Sequence, residues 1–384
     1  MKILFICGAL EEGKDGVGDY TRRLAGELVR HGHQATIIAY NDRHISTIMD
    51  SVQQDGDTAV QVLRLPSVLK AKEKVKLSRD YAQQFQPDWI SLQFVIYSFH
   101  SKGLPFFLTR QLKQIGNGYK WHIMFHELWI GEYKDDHPKD KLIGYIQQKI
   151  IQRIYKLGSV IHVTGEFNQK LLLYRSRRAP LLLPICSNIG AQSKPKIAQS
   201  LNENFRYRQW YVSRQDYFIV VNFGNYYYSS WDIKNVISNL DRMAVSNGRK
   251  LVLLSIGNIG EAAQHKWNSL SDNFENILVD RLGQLPEDSI AEILTNYADM
   301  GIVTTPLEII YKSGTFHTFR EFGIPVLAKK NSRTYRLKAD KSSSEETAYL
   351  YDENSDVIIE RAVSKSNWNL TLMYEGFCKS LLSN

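Results

Sequence analysis

The sequence is poor in cysteine, has no long apolar run and shows no metal-ligand spacing, and each shortage closes off a class of protein. Its cysteines are Cys7, Cys186 and Cys378. Odd in number and far apart, they form neither a disulfide framework nor a metal site, which suits a reducing, cytoplasmic setting. No stretch of about 18 apolar residues occurs, so no segment reads as a membrane-spanning helix. The apolar start Met1–Gly8 lacks a small-residue cleavage site and runs into Glu11-Glu12-Gly13-Lys14. A buried strand is therefore expected there, not a secretory signal. A GxGxxG run is missing as well, and the second expected strand, Gln34–Tyr40, carries no acidic end residue, so a dinucleotide fingerprint is weak.

What is present points to a globular protein of two domains. The length of 384 residues exceeds one ordinary core, and 43% hydrophobic with 23% charged residues argues against long disorder. The net charge of +8 admits anionic partners: nucleic acid, sugar nucleotides or an anionic membrane. No nucleic-acid module is visible, so nucleic acid is not expected. Basic residues cluster at Lys70, Lys72, Lys74, Lys76 and Arg79, interleaved with Leu69, Val75 and Leu77. That run is either a solvated helix face or a peripheral contact with anionic headgroups at the inner face of a membrane.

The alternation of apolar runs and helical periodicity occurs twice. Lys2–Cys7 reads as a strand, followed by a glycine-bearing loop and a helix from about Asp19 to Arg30. Tyr20, Leu24 and Leu28 mark its buried face, with Asp19 as N-cap and Gly32 as stop. Further strands are expected at Val60–Leu65, Trp89–Phe94, Trp121–His126, Val160–Thr164 and Leu181–Ile185. After a polar, aperiodic stretch the pattern resumes at Tyr217–Gly224. It continues through strands at Lys250–Ile256, Ile277–Asp280, Gly301–Thr304 and Pro325–Ala328, with helices at Glu287–Tyr297 and Thr315–Phe322. This predicts an α/β protein of two doubly wound, Rossmann-like domains with parallel sheets. Their expected bounds are 1–186 and 206–365, with a linker over 187–205. A last helix over 366–384 has Trp368, Leu372, Tyr374 and Phe377 as apolar anchors.

Ligands of open parallel sheets bind beyond the carboxyl ends of the strands, so a cleft between the two domains is the expected site. Four segments qualify. Gly8–Gly18, with Gly13, Gly16, Val17 and Gly18, lets backbone amides approach an anion at a helix N-terminus, or is simply a surface turn. His126-Glu127 ends a strand, where the imidazole either bonds a substrate hydroxyl or is satisfied by backbone carbonyls. Phe223-Gly224-Asn225 offers a second tight turn, with Tyr226, Tyr227, Tyr228 and Trp231 as stacking or packing groups. The strongest segment is Thr305–Thr315, leading to Glu321. There Lys312 neutralises a diphosphate, and Ser313, Gly314 and Thr315 supply hydroxyls and amides at a helix N-terminus. Donors fixed at that point favour a transition state in which a leaving diphosphate gathers charge. A plain helix cap with a solvated Glu321 is the alternative.

With these residues in view, the sequence resembles the retaining GT-B glycosyltransferases of family 4 over nearly its whole length. The resemblance rests on Gly16-Val17-Gly18-Asp19-Tyr20, Leu24–His33, Phe125-His126-Glu127 (where the family usually has His-Asp), Leu285-Pro286-Glu287, Tyr297–Met300 and Arg320–Val326. The family signature sets two glutamates with seven residues between them, and counting back from Glu321 puts Ser313 where the first would stand. Its glycine-arginine turn is Gly224-Asn225 here.

The resemblance implies a nucleoside diphosphate sugar held mainly by the C-terminal domain. Glu321 would bind ribose, and Lys312, Ser313, Gly314 and Thr315 would surround the diphosphate. His126, with Glu127, would act at the transferred sugar, and Gly16–Gly18 would close over the phosphates. A glycan or lipid-linked acceptor would dock near Gln93, Tyr97 and His100. It also implies retention of anomeric configuration, no metal or other cofactor, and a last helix that crosses back to the first domain. Because the first glutamate is replaced, two alternatives stay open: a non-catalytic GT-B relative that binds a sugar or nucleotide as a partner subunit, and a sugar-nucleotide epimerase or hydrolase.

Overall fold

The computed structural model describes residues 1–176, 178–187, 189, 203, 205–223, 233–257, 265, 267, 269–270, 274, 277–305, 307–329, 334–336, 348–352, 357–359 and 366–383. The chain divides into two compact units. One is built from residues 1–186 with two later pieces, 333–340 and 370–384; the other comprises 187–332 and 341–369. Most of the stretch expected as a linker lies outside the described residues.

The N-terminal unit centres on an eight-stranded sheet ordered β3-β4-β2-β1-β5-β6-β7-β8. The strands are β1 (Lys2–Cys7), β2 (Gln34–Asp42), β3 (Met49–Asp55), β4 (Thr58–Pro66), β5 (Trp89–Phe94), β6 (Lys120–Phe125), β7 (Val160–Val163) and β8 (Leu181–Leu182). All neighbours pair in parallel except β3 with β4. β3 was not expected. Its burial alternates between half-buried and exposed, so it gives no apolar run to read, and it is held by a hairpin at Gly56, whose φ is 57°. The central strands β1, β5 and β6 are buried almost throughout, as the double covering of a parallel sheet requires. Helices α1 (Gly16–Arg30), α2 (Ala71–Phe85), α3 (Ile96–Phe99), α4 (Leu108–Ile115), α5 (Pro138–Tyr155) and α6 (Glu166–Arg175) form the connections.

The expected start of the first helix is corrected. The helix begins at Gly16 with Asp15 as N-cap, and Asp19 lies in its first turn. Asp15 is the better cap because its carboxylate reaches the exposed amides of Val17 and Gly18. Tyr20, Leu24 and Leu28 are buried as the spacing requires.

The C-terminal unit has a seven-stranded sheet ordered β11-β10-β9-β12-β13-β14-β15. Its strands are β9 (Tyr217–Phe223), β10 (Lys250–Ile256), β11 (Leu278–Gly283), β12 (Met300–Val303), β13 (Val326–Lys329), β14 (Tyr349–Asp352) and β15 (Val357–Ile359). All pairs are parallel except β14 with β15. Helices α7 (Gln209–Val212), α8 (Ile233–Ser246), α9 (Glu287–Asn296) and α10 (Gly314–Phe322) belong to this unit, with a 3-10 turn at Leu307–Lys312 before α10. The sheet separates two apolar cores, one around Ile219, Val252 and Phe319, the other around Val220, Val236 and Leu253. Successive β9 residues thus feed opposite faces.

The last helix, α11 (Leu370–Leu382), lies on the N-terminal unit. Phe377 stacks on Phe5 at 5.9 Å, and Tyr374 stacks on His31 at 4.3 Å. Of the expected anchors, Phe377 is fully buried but Leu372 is exposed, and Trp368 precedes the helix. Met373, Cys378 and Leu381 complete the buried stripe, because the seam follows a three- and four-residue spacing through Phe377.

Candidate active site

Both sheets have a topological switch point, where a central strand is flanked by neighbours whose crossovers leave in opposite directions. In the N-terminal unit it falls at β1, between β2 and β5. Three strand-end loops are tied together there. Asn41 donates its backbone N–H to the Gly8 carbonyl at 2.8 Å and its side-chain amide to the Ser98 carbonyl at 2.9 Å. Gly8 packs so closely on Ser98 that a Cβ would overlap it.

The glycine loop is rigidly supported, and the support is acidic. Asp15 accepts the N–H of Val17 at 3.1 Å and of Gly18 at 2.9 Å. Asp19 accepts the Gly13 N–H at 3.2 Å and pairs with Arg22 at 2.6 Å. Burial raises the Asp19 carboxyl above its usual range, against the pull of Arg22. An acidic residue does end β2, contrary to the sequence expectation: Asp42 is fully buried, accepts the Leu10 N–H at 3.2 Å and pairs with Arg64 at 2.7 Å. It is spent on fixing the loop. Gly18 is required sterically, since its Cβ would lie 2.6 Å from the Ala9 carbonyl oxygen, whereas Gly16 faces open space.

His126 follows β6, and its backbone N–H donates to the Phe94 carbonyl at 3.0 Å. Its Nε2 meets the Gln93 side-chain carbonyl at 2.9 Å, so a side chain and not the backbone satisfies that nitrogen. The Tyr20 ring stands edge-on to the imidazole at 4.8 Å. Tyr20 is buried, and its hydroxyl has no hydrogen-bond partner among the described residues. The same holds for the hydroxyl of buried Thr164, which follows β7. Because Phe125 pairs with Val163, His126 and Thr164 occupy neighbouring strand ends. Neither hydroxyl was a sequence-derived candidate. Tyr20 was hidden by its place on the apolar face of α1, and Thr164 by its place in an apolar strand.

The three expected acceptor contacts have different environments. Gln93 is buried, with its amide engaged by His126 and by Ser91. Tyr97 is exposed and its hydroxyl accepts from Gln147 at 3.3 Å. His100 Nδ1 accepts the amides of Lys102 and Leu104 and so shapes its own loop. Glu127 is half-buried.

In the C-terminal unit the switch point falls at β9, between β10 and β12. The Thr315 hydroxyl donates to the carbonyl of Phe223, the last residue of β9, at 3.2 Å. The first turn of α10 is thereby pinned to that switch point. Ser313 is its N-cap, with Oγ accepting the Phe316 N–H at 3.3 Å. No acidic residue lies in the first turn, and Lys312 precedes it. Gly314 and Thr315 then occupy positions whose amides have no intrahelical acceptor. Glu321 is buried near the end of the same helix, which stops at Gly323 with φ 78°. His317 donates Nε2 to the Tyr311 carbonyl at 2.9 Å, and burial lowers its pKa to about 4. Gly224, Asn225, Tyr226, Tyr227, Tyr228 and Trp231 lie outside the described residues.

The two helix starts differ in sign. Both carry a favourable dipole, but at α1 a carboxylate already holds the outward amides, while at α10 a neutral hydroxyl caps the turn beside a lysine. The first turn of α10 carries no carboxylate cap of its own.

The basic run divides by helical phase. Lys72, Lys76 and Arg79 follow one exposed face of α2, and with Lys70 they line a groove of about 1290 Å³. Arg110, Lys113 and exposed Phe107 line the same groove. Lys74 turns inward, donating to Asn41 Oδ1 at 2.8 Å and the Ser67 carbonyl at 3.1 Å. No helix among the described residues is long and apolar enough to cross a membrane.

No protein-family model matches this sequence, and no curated protein matches it. Solved structures do. Anabaena HepE, crystallised with UDP and glucose, aligns at a TM-score of 0.60 and 12% identity over 100% of both chains. WaaG, a glycosyltransferase involved in lipopolysaccharide biosynthesis, aligns at 0.56 and 12%, covering 99% of this chain and 90% of its own. A UDP-forming α,α-trehalose-phosphate synthase from Burkholderia xenovorans, in complex with glucose-6-phosphate, aligns at 0.53 and 9% over 100% of each. Identities this low speak for the fold alone. The chain has the GT-B fold, two Rossmann-like α/β domains, in a sequence far diverged from these proteins.

Proposed function

We propose that this protein is a glycosyltransferase that moves a sugar from a nucleoside diphosphate sugar to a hydroxyl of a glycan or lipid-linked glycan, with retention of configuration. One observation carries the reading: the start of α10, capped by Ser313 and flanked by Lys312, is pinned by Thr315 to the switch point of the second sheet. A diphosphate there meets a cation, outward amides and a helix dipole with no competing carboxylate in the first turn. Glu321, two turns further on, binds the ribose. The fold shared with proteins crystallised with UDP or acting as glycosyltransferases supports the same reading.

In the reaction the bond between the anomeric carbon and the diphosphate oxygen breaks, and the acceptor oxygen bonds that carbon on the same face. The acceptor proton passes to the leaving phosphate oxygen. Lys312 and the α10 amides stabilise the charge that gathers on the leaving group. His126, Tyr20 and Thr164 contact sugar hydroxyls, which give partners to the Tyr20 and Thr164 hydroxyls, both without one among the described residues. Gln93 serves here as an orienting group for His126, while Tyr97 and His100 stand nearer the acceptor. The reaction needs no metal in this scheme. The groove between α2 and α4, with its six cations and Phe107, rests on anionic headgroups at the cytoplasmic face of a membrane.

A second reading follows from Ser313. Where a glutamate would contact the donor sugar, this chain has a helix cap, which favours a partner subunit that binds a sugar nucleotide without turning it over. A thermal-shift screen against nucleoside diphosphate sugars, followed by a turnover assay, separates the two. Stabilisation with release of nucleoside diphosphate supports the transferase, and stabilisation without release supports the binding subunit. No stabilisation by any donor, or stabilisation unchanged in both Glu321→Ala and Lys312→Ala, would sink the site.

A further inference from the structure

We infer that Ser91, His122 and His162 are positioning residues that act through Gln93 to hold His126 in a single tautomer, with Nε2 protonated and Nδ1 as the ring's acceptor. Its effect on turnover rests on the function proposed above.

Strand parity places these side chains together. Ser91 and Gln93 lie two apart on β5, and His122 lies two before Met124 and four before His126 along β6, so each set shares a face. The register pairs Ser91 with His122 and Gln93 with Met124, and Met124 with His162 on the next strand. The result is a continuous line of hydrogen bonds. His126 Nε2 lies 2.9 Å from Gln93 Oε1, and Gln93 Nε2 lies 2.8 Å from Ser91 Oγ. Ser91 Oγ lies 2.8 Å from His122 Nδ1, and His122 Nε2 lies 2.9 Å from His162 Nδ1. None of the five side chains is more than 6% exposed.

With the Gln93 carbonyl facing His126, the donors and acceptors run in one direction. The Gln93 carbonyl only accepts, so His126 Nε2 donates; the Gln93 amide nitrogen only donates, so Ser91 receives its proton. The single hydroxyl proton of Ser91 is then directed at His122 Nδ1, which accepts it as the bare ring nitrogen. His122 Nε2 therefore carries a proton and donates it to His162 Nδ1. Burial keeps both inner histidines neutral, lowering His122 well below its ordinary value and His162 to about 4. Phe377 of α11 packs edge-on against His122 at 5.0 Å, which closes the line from water. Reversing the His126 tautomer requires turning the Gln93 amide and reversing every following bond together, because a partial reversal leaves an unsatisfied group in a low-dielectric interior.

The test uses full-length protein labelled with 15N-histidine. Long-range 1H–15N correlation should show His126 with protonated Nε2 and bare Nδ1. In Ser91→Ala the preference should be lost, while Ser91→Thr, which retains the hydroxyl, should restore it. In a sugar-nucleotide turnover assay Ser91→Ala should lower kcat by about tenfold with the donor KM nearly unchanged, again rescued by threonine. Circular dichroism and a thermal melt verify that each variant is folded. A wild-type His126 protonated on Nδ1, or a folded Ser91→Ala protein with the wild-type tautomer, overturns the inference. Wild-type protein with the stated tautomer but no turnover of any sugar nucleotide supports the positioning line and instead removes the proposed function.

Discussion

Asp15 Oδ1 accepts the Gly18 N–H at 2.9 Å, so the start of α1 is closed by a carboxylate where a ligand phosphate would otherwise sit. The sequence motif Gly16-Val17-Gly18 marks a place suited to anions; the structure shows that the protein's own anion occupies it. Any role of this loop over a donor diphosphate requires Asp15 to yield those amides.

Removing the charge but keeping the cap tests this directly. Asp15→Asn should cost only a few tenths of a kcal/mol in stability, and Asp15→Ala about 1 kcal/mol, because asparagine still accepts the amides. Isothermal titration with UDP at low salt should show equal or tighter binding for Asp15→Asn. Weaker binding would mean that the carboxylate helps to hold the ligand.

The two glycines of the motif should separate by experiment. Gly18→Ala places a methyl 2.6 Å from the Ala9 carbonyl oxygen and should destabilise the protein by about 1–3 kcal/mol. Gly16→Ala meets nothing within 4 Å and should be neutral or stabilising by up to about 1 kcal/mol. Urea unfolding measures both. A loss of donor binding in Gly16→Ala without a loss of stability would then report a functional contact.

At α10 the predictions divide between folding and binding. Ser313→Ala removes the cap on Phe316 and should cost about 1 kcal/mol of stability. Lys312→Ala should weaken UDP affinity by about tenfold or more, the expected loss for one charge-assisted contact. Calorimetric titration beside urea melts distinguishes the two effects. Unchanged affinity in Lys312→Ala places the diphosphate elsewhere.

Acid should loosen the N-terminal unit through His162. Its folded pKa is about 4 against an ordinary 6.5, so between those values the unfolded chain binds the extra proton. Stability therefore rises with pH across that window and falls on acidification. From pH 7 to pH 5 the loss should be about 2 kcal/mol from this residue. His162→Gln, which keeps an acceptor for His122, should reduce the pH dependence of urea unfolding by about that amount. An unchanged slope would show that His162 is not held neutral.

Much of the fold was legible because it rests on local periodicity. Trp89–Phe94 and Lys250–Ile256 are strands with the bounds the apolar runs define, since a strand buried on both faces must be apolar throughout. β3 escaped notice because it lies at a sheet edge, and Asp42 because β2 continues two residues beyond Tyr40. The candidate site was legible as segments. Lys312, Ser313 and Thr315 surround one helix start because they adjoin one another in sequence. The link between Ser91, His122 and His162 had only a parity signal within each strand.

By itself the sequence determined the alternation of strands and helices, the apolar faces that bury them and the helix starts suited to anions. Those properties follow from residue type and spacing along the chain. The tertiary structure alone decided which strands are neighbours, and hence that His126 is tied to His122 through β5. It also decided that α11 covers that line, and that Asp15, not a ligand, holds the amides of α1 while a neutral Ser313 caps α10. Pairing across a sheet is set by long-range register and burial, which no local pattern encodes.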